Sequence, residues 1–156
     1  MTYRPDPGFQ VASQSSRTDP IAPVEDKPVA ENVVDTTNLA VAVYPYPSAT
    51  GVAMVPHKDL SFTGKLITAA GGTVNVTVWG INDDDLVTGD WINVTPSGYR
   101  TDDNTVGNAA ITSTGAVTTL FALDFDNFNY DYYKVEVDVL VSAVNTVIIK
   151  QRRKAI

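Results

Sequence analysis

The stretch Tyr133–Val141, YKVEVDVLV, alternates with a period of two until its last apolar residues. That is the repeat of a β-strand, whose successive side chains point to opposite faces; an amphipathic helix would space its apolar residues three and four apart. Thr73–Ile81, TVNVTVWGI, repeats the pattern, with Val74, Val76 and Val78 on one face and Thr73, Asn75, Thr77 and Trp79 on the other. Strands that are apolar on one side only must cover that side with a second layer. Val74, Val76, Val78, Val135, Val137, Val139, Phe121 and Leu123 are the expected core.

The same period extends through most of the chain from residue 38. Asn38–Tyr46, NLAVAVYPY, sets Val41 and Val43 on one face and is stopped by Pro45 and Pro47; Val52–Val55 is closed by Pro56. Leu60–Ala69 turns Leu60, Phe62 and Leu66 inward and leads through Gly71-Gly72, read as a hairpin-like turn, into the valine strand. Further strands are expected at Trp91–Thr95, Ala109–Thr112, Val117–Phe125 and in TVIIKQR near the C-terminus, with loops at Asn82–Gly89, Pro96–Gly107 and Asp126–Asp131. Eight or nine short strands with no helical segment of ten residues predict an all-β fold, an antiparallel β-sandwich or jelly roll.

Residues 1–37 differ. They hold five of the nine prolines and a Ser/Gln patch, and no periodicity is evident in them. A segment that long without regular structure is uncommon inside a compact domain. The expectation is an extended, Pro-rich N-terminal arm over 1–37 that grips a partner or a neighbouring copy through Tyr3, Phe9, Val11, Ile21 and Val24. Residues 38–156 are expected to form the sandwich, ending in a short basic tail whose Lys150, Arg152, Arg153 and Lys154 clasp an acidic surface. The rest of that domain carries four basic and twelve acidic side chains, which argues against nucleic acid as the main partner.

Little in the sequence points to catalysis. The absence of cysteine excludes a disulfide scaffold and a thiolate nucleophile, and the lone His57 excludes any site built on two imidazoles. No G-x-S-x-G elbow, G-x-G-x-x-G fingerprint or P-loop occurs. Asp83, Asp84, Asp85 and Asp90 invite a calcium reading, but an EF-hand begun at Asp83 needs glycine and glutamate where Thr88 and Val94 stand. Asp124 and Asp126 are spaced as a carboxylate pair on one strand face, without a mark of which would be desolvated. No metal, cofactor or enzymatic activity is expected. No apolar run reaches membrane-spanning length, and MTYRPDPGFQ lacks the apolar region of a signal peptide, so synthesis in a cytoplasm is expected.

GGTVNVTVWGINDDD followed by WINVT, then LFALDFDNFNYDYYKVEV and the closing TVIIKQRRKAI, resemble small virion structural proteins of tailed bacteriophages, among them capsid auxiliary, decoration and head-fibre-base proteins. The resemblance spans roughly residues 60–156 and implies a non-enzymatic, capsid-associated protein of the virion, a homo-oligomer with other virion proteins as partners. It implies no catalytic residues. A tail or connector component is an alternative within that class. A carbohydrate-binding module, using Tyr44, Tyr46 and the acidic loop, is the alternative outside it.

Overall fold

Val74, Val76 and Val78 do face inward, and Val135, Val137 and Val139 lie opposite them in register on the neighbouring strand, all fully buried. The computed structural model describes residues 31–103, 105–141 and 144–155. These form β1 (Glu31–Leu39), β2 (Ala42–Tyr46), β3 (Val52–Ala53), β4 (His57–Thr68), β5 (Thr73–Ile81), β6 (Ile92–Asn93), β7 (Tyr99–Arg100), β8 (Thr105–Val106), β9 (Ile111–Thr114), β10 (Thr118–Phe125), β11 (Tyr132–Val141) and β12 (Val144–Ala155). A 3₁₀ turn, Thr95–Ser97, precedes β7.

The strands make two antiparallel sheets packed face to face. Sheet A runs β1-β12-β4-β10 and continues through β7 to β8; sheet B runs β2-β11-β5, with β3 also on β11 and with β6 and β9 along β5. The pairing is nested, β1 with β12, β2 with β11, β4 with β10 and β5 with β9. That is a jelly roll, in which one long antiparallel ribbon is rolled into two layers. Four connections lie at one end: β1 to β2, β4 to β5, β9 to β10 and β11 to β12. Each joins strands that hold the same place in the two sheet orders, so β12 lies over β11 and β4 over β5. The β4–β5 and β9–β10 turns are tied together, with Gly115 N donating to Gly72 O at 2.9 Å and Thr68 Oγ1 donating to Gly115 O. Gly115 there has φ +82, a conformation that a side chain would strain.

Leu60, Phe62 and Leu66 of β4, Phe121, Leu123 and Phe125 of β10, and Val147 and Ile149 of β12 supply sheet A's half of the core. Phe62, Phe125, Phe128 and Tyr133 meet edge to face, with ring centroids 5.4–6.4 Å apart. Gly64 leaves room for the Phe121 ring beside this cluster, since a Cβ there would stand 2.1 Å from that ring.

Several expectations change. Residues 31–37, read as arm, form most of β1, paired to β12 from Glu31↔Gln151 onward. A register shift between Asn32 and Val34 breaks the alternation that would have revealed the strand. The basic residues are no free tail: Lys150, Arg152, Arg153 and Lys154 lie in β12, all paired to β4, and Lys150 also lies opposite Asn32 of β1. Gly71-Gly72 turns the chain from one sheet to the other rather than closing a hairpin. Pro45 sits within β2, at the rim of sheet B where a missing N–H is tolerated, and Val41 and Val43 are exposed. Tyr3, Phe9, Val11, Ile21 and Val24 lie outside the described residues.

Candidate functional site

Among the described residues β1 is the rim of sheet A, and its first residue is fastened by a polar network. Opposite Glu31 stands Gln151, 7% exposed and turned toward the core, a place where glutamine needs partners. The fully buried Tyr133 hydroxyl donates to Gln151 Oε1, and Gln151 Nε2 donates to Glu31 Oε2 at 3.0 Å. Arg153 Nη2 donates to the same carboxylate oxygen at 3.2 Å. The Gln151 hydrogen bond, aided by the Arg153 charge, holds the Glu31 carboxyl below its ordinary range against a partial desolvation. Burial pushes the Tyr133 phenol up to about 12. The N-terminal end of β1 is therefore a pinned corner.

Among the described residues, the outer face of sheet A carries most of the positive charge that is not in an ion pair. Alternation along β12 points Lys150, Arg152 and Lys154 outward in one column, about 6.8 Å apart by strand geometry. Ile148 continues the column, and Lys65 stands beside it on β4. Among the described residues, no carboxylate lies within ion-pair distance of these four cations. They border a shallow trough in three joined parts. The largest, about 400 Å³, is lined by Asp59, Ser61, Tyr99, Asp124, Arg152 and Lys154 among others; the others extend past Thr63 and Lys150 to Lys65. Asp59 and Asp124 thus face Arg152 and Lys154 across the wide end.

Sheet B's outer face has the opposite sign. Glu136 and Asp138 of β11 stand in a column, flanked by Thr77 and Asn75 of β5 and by Pro45 and Val43 of β2. Lys134 belongs to this column but places its ammonium 4.5 Å from the Trp91 ring centroid. Trp79 Nε1 donates to Thr77 Oγ1 at 2.9 Å. Tyr44 and Tyr46 point the other way, half-buried against the core, so they form no stacking platform.

The acidic loops are occupied with themselves. Asp85 accepts the amides of Val87 and Thr88 and the Thr88 hydroxyl, and these bonds lower its pKa. Asp83 accepts the amide of Asp85 at 2.9 Å. Asp102 takes the Arg100 guanidinium and the Ala122 amide, and the arginine is the main reason its pKa falls. No group of three His, Cys, Asp or Glu side chains placed to hold a metal occurs among the described residues. His57 opens β4, half-buried, with Nδ1 3.2 Å from Met54 O.

The structure therefore brings Lys150, Arg152 and Lys154 to one face and turns Arg153 away to Glu31. Sequence reading missed Lys65, which joins that face, and the Tyr133–Gln151–Glu31 relay. The signal was available: read with period two, KQRRK is a strand with cations on one side and Gln151 and Arg153 on the other.

Compared with known proteins, the chain matches no family model and no curated protein. Among solved structures it is similar to one from work on Bacillus endospore appendages, described as forming a novel family of disulfide-linked pili. The two share 16% identity and a TM-score of 0.39, over 89% of this chain and 99% of that one.

Proposed function

We propose that the chain is a non-enzymatic structural protein of a virion, a capsid-associated auxiliary or decoration protein that docks through residues 1–30 and functions as an assembly of identical copies. One observation carries the reading. The segment with the composition of an arm feeds into β1, the rim strand of sheet A, at the corner pinned by Glu31, Gln151 and Arg153. A segment entering at a rim can reach a neighbour without crossing the domain's own layers, and the pin transmits load from it into the sheet. The resemblance of residues 60–156 to small phage virion proteins supplies the kind of particle. Jelly rolls serve capsid and lectin domains alike, so architecture selects neither. The carbohydrate reading leaned on Tyr44, Tyr46 and the acidic loop, which pack against the core or bond to themselves.

In this reading Tyr3, Phe9, Val11, Ile21 and Val24 supply most of the affinity for the shell, and the cations of β12 tune register and association rate. The test is a variant lacking residues 1–30. It should fold, melt cooperatively and fail to co-purify with particles that carry the full chain at high copy number. Particle attachment that survives the truncation, or retention of the full chain on a glycan affinity gel with no copies in particles, overturns the proposal.

A further inference from the structure

The two outer faces of the sandwich are complementary to each other, and we infer that copies of this chain stack front to back, the β12 column of one against the β11 column of the next. The inference rests on the assembly reading above but uses different residues and names the partner as a second copy.

Three features point to it. The first is sign. Lys150, Arg152 and Lys154 are exposed on β12 with no carboxylate in ion-pair distance among the described residues, while Glu136 and Asp138 lie outward on β11. The body is otherwise acidic, with 18 acidic against 11 basic residues overall, so a cationic column on a central strand is out of keeping with the rest. The second is spacing. Both columns step by two residues along a strand, roughly 6.8 Å, so a pair matched at one level stays matched at the next. The third is placement. β11 and β12 hold the same place in their sheet orders, so a copy displaced along the sheet normal, without rotation, brings its β12 over its neighbour's β11. A slide along the strand direction then sets Lys150 against Asp138 and Arg152 against Glu136, since each pair is two residues apart on its own strand.

Apolar residues at the turn end agree with this arrangement. Leu140 ends the acidic column at 45% exposure, with Val43 beside Asp138 at 53%; Ile148 ends the basic column, and Leu120, 64% exposed, lies across Lys65 from it. In the stacked pair these apolar ends lie toward the same end of the interface. Asp59 and Asp124 lie one and two strands from the basic column, and Asp59 is engaged by the Asn127 amide at 3.1 Å. Such contacts are head to tail, using two different patches, and so build an open stack rather than a closed dimer.

The experiment uses the full chain and two charge-reversed variants. K150E/R152E makes both faces acidic; E136K/D138K makes both basic. In low salt, light scattering of the wild type should give a weight-average mass well above 16.8 kDa that falls toward that value near 1 M salt, where screening shortens to about 3 Å. Each variant alone should remain monomeric, and an equimolar mixture should recover the association by alternating the two. Near-ultraviolet circular dichroism establishes that each variant is folded. Should either fail to fold, the neutral pair K150Q/R152Q and E136Q/D138N replaces it, each expected to abolish the salt-dependent association. A wild type that stays monomeric, variants that associate alone, or a mixture that stays monomeric overturns the inference. So does a monomeric wild type that binds polyglutamate through Lys150 and Arg152, which would make the column a polyanion site. No particle is present in this assay, so failure here leaves docking through residues 1–30 standing. Loss of particle attachment with stacking intact, conversely, bears only on the arm.

Discussion

Replacing Gln151 with leucine leaves the Tyr133 hydroxyl without its acceptor in a place that water does not reach. Tyr133 is 0% exposed, and Gln151 Oε1 is the acceptor found for its hydroxyl among the described residues. A buried donor left unpaired costs about 1–3 kcal/mol, and the leucine recovers part of that through its apolar surface. Tyr133→Phe removes the donor instead and leaves the amide oxygen, for about 1 kcal/mol. The double replacement removes both ends of the bond while Glu31 and Arg153 keep each other, so it should be milder than the sum of the singles by about 1 kcal/mol or more. Urea unfolding of the full chain measures all four proteins, with an unchanged slope as the sign that only stability has moved. For a domain of this size each kcal/mol should appear as roughly 2–4 °C in the melting temperature. Additivity within about 0.5 kcal/mol would refute the claim that the two residues act as one unit, as would a Gln151→Leu protein as stable as the parent.

Two further outcomes follow from the same packing. The Tyr133 phenol titrates near 12 in the fold and near 10 when unfolded, so its contribution is whole below pH 10 and is lost as pH rises from 10 to 12. Alkaline unfolding followed by tyrosinate absorbance should therefore be shallower in that window for Tyr133→Phe, and identical profiles would show that the phenol is not sheltered. Gly64→Ala drives a methyl group into the Phe121 ring and should destabilise by about 1–3 kcal/mol, with Phe121→Leu in the same chain restoring part of the loss; a neutral Gly64→Ala would mean that the ring moves freely.

The valine strands were legible because each is apolar on one side along its whole length: Val74, Val76 and Val78, and Val135, Val137 and Val139, came out buried as read. β1 was not legible, because the irregularity after Asn32 shifts its phase and threonine and asparagine fill its exposed positions. β12 was half legible. Its apolar beginning reads as a strand, but its last residues bury a glutamine against a tyrosine and turn a half-buried arginine to a glutamate far away in sequence, which no local pattern reports. Sheet membership was equally hidden, since alternation says which face is buried and not which layer the strand joins. The basic column was visible as composition and took on geometry only when its strand was placed in a sheet.

The nested pairing also determines when each part of the molecule can form. β5 and β9, the innermost of the four nested pairs, close a shorter loop than the three pairs outside them, whereas β1 waits for β12, and the bond between Glu31 and Gln151 spans 120 positions. A chain made from its N-terminus forward thus releases its first described strand long before that strand's only sheet partner among the described residues exists. Loop-closure entropy is smallest for the innermost pair and largest for the pair that joins the two ends. β1 can therefore complete its pairing only after β12 has been made, so the corner of Glu31, Gln151 and Arg153 comes into being only once the last described strand exists.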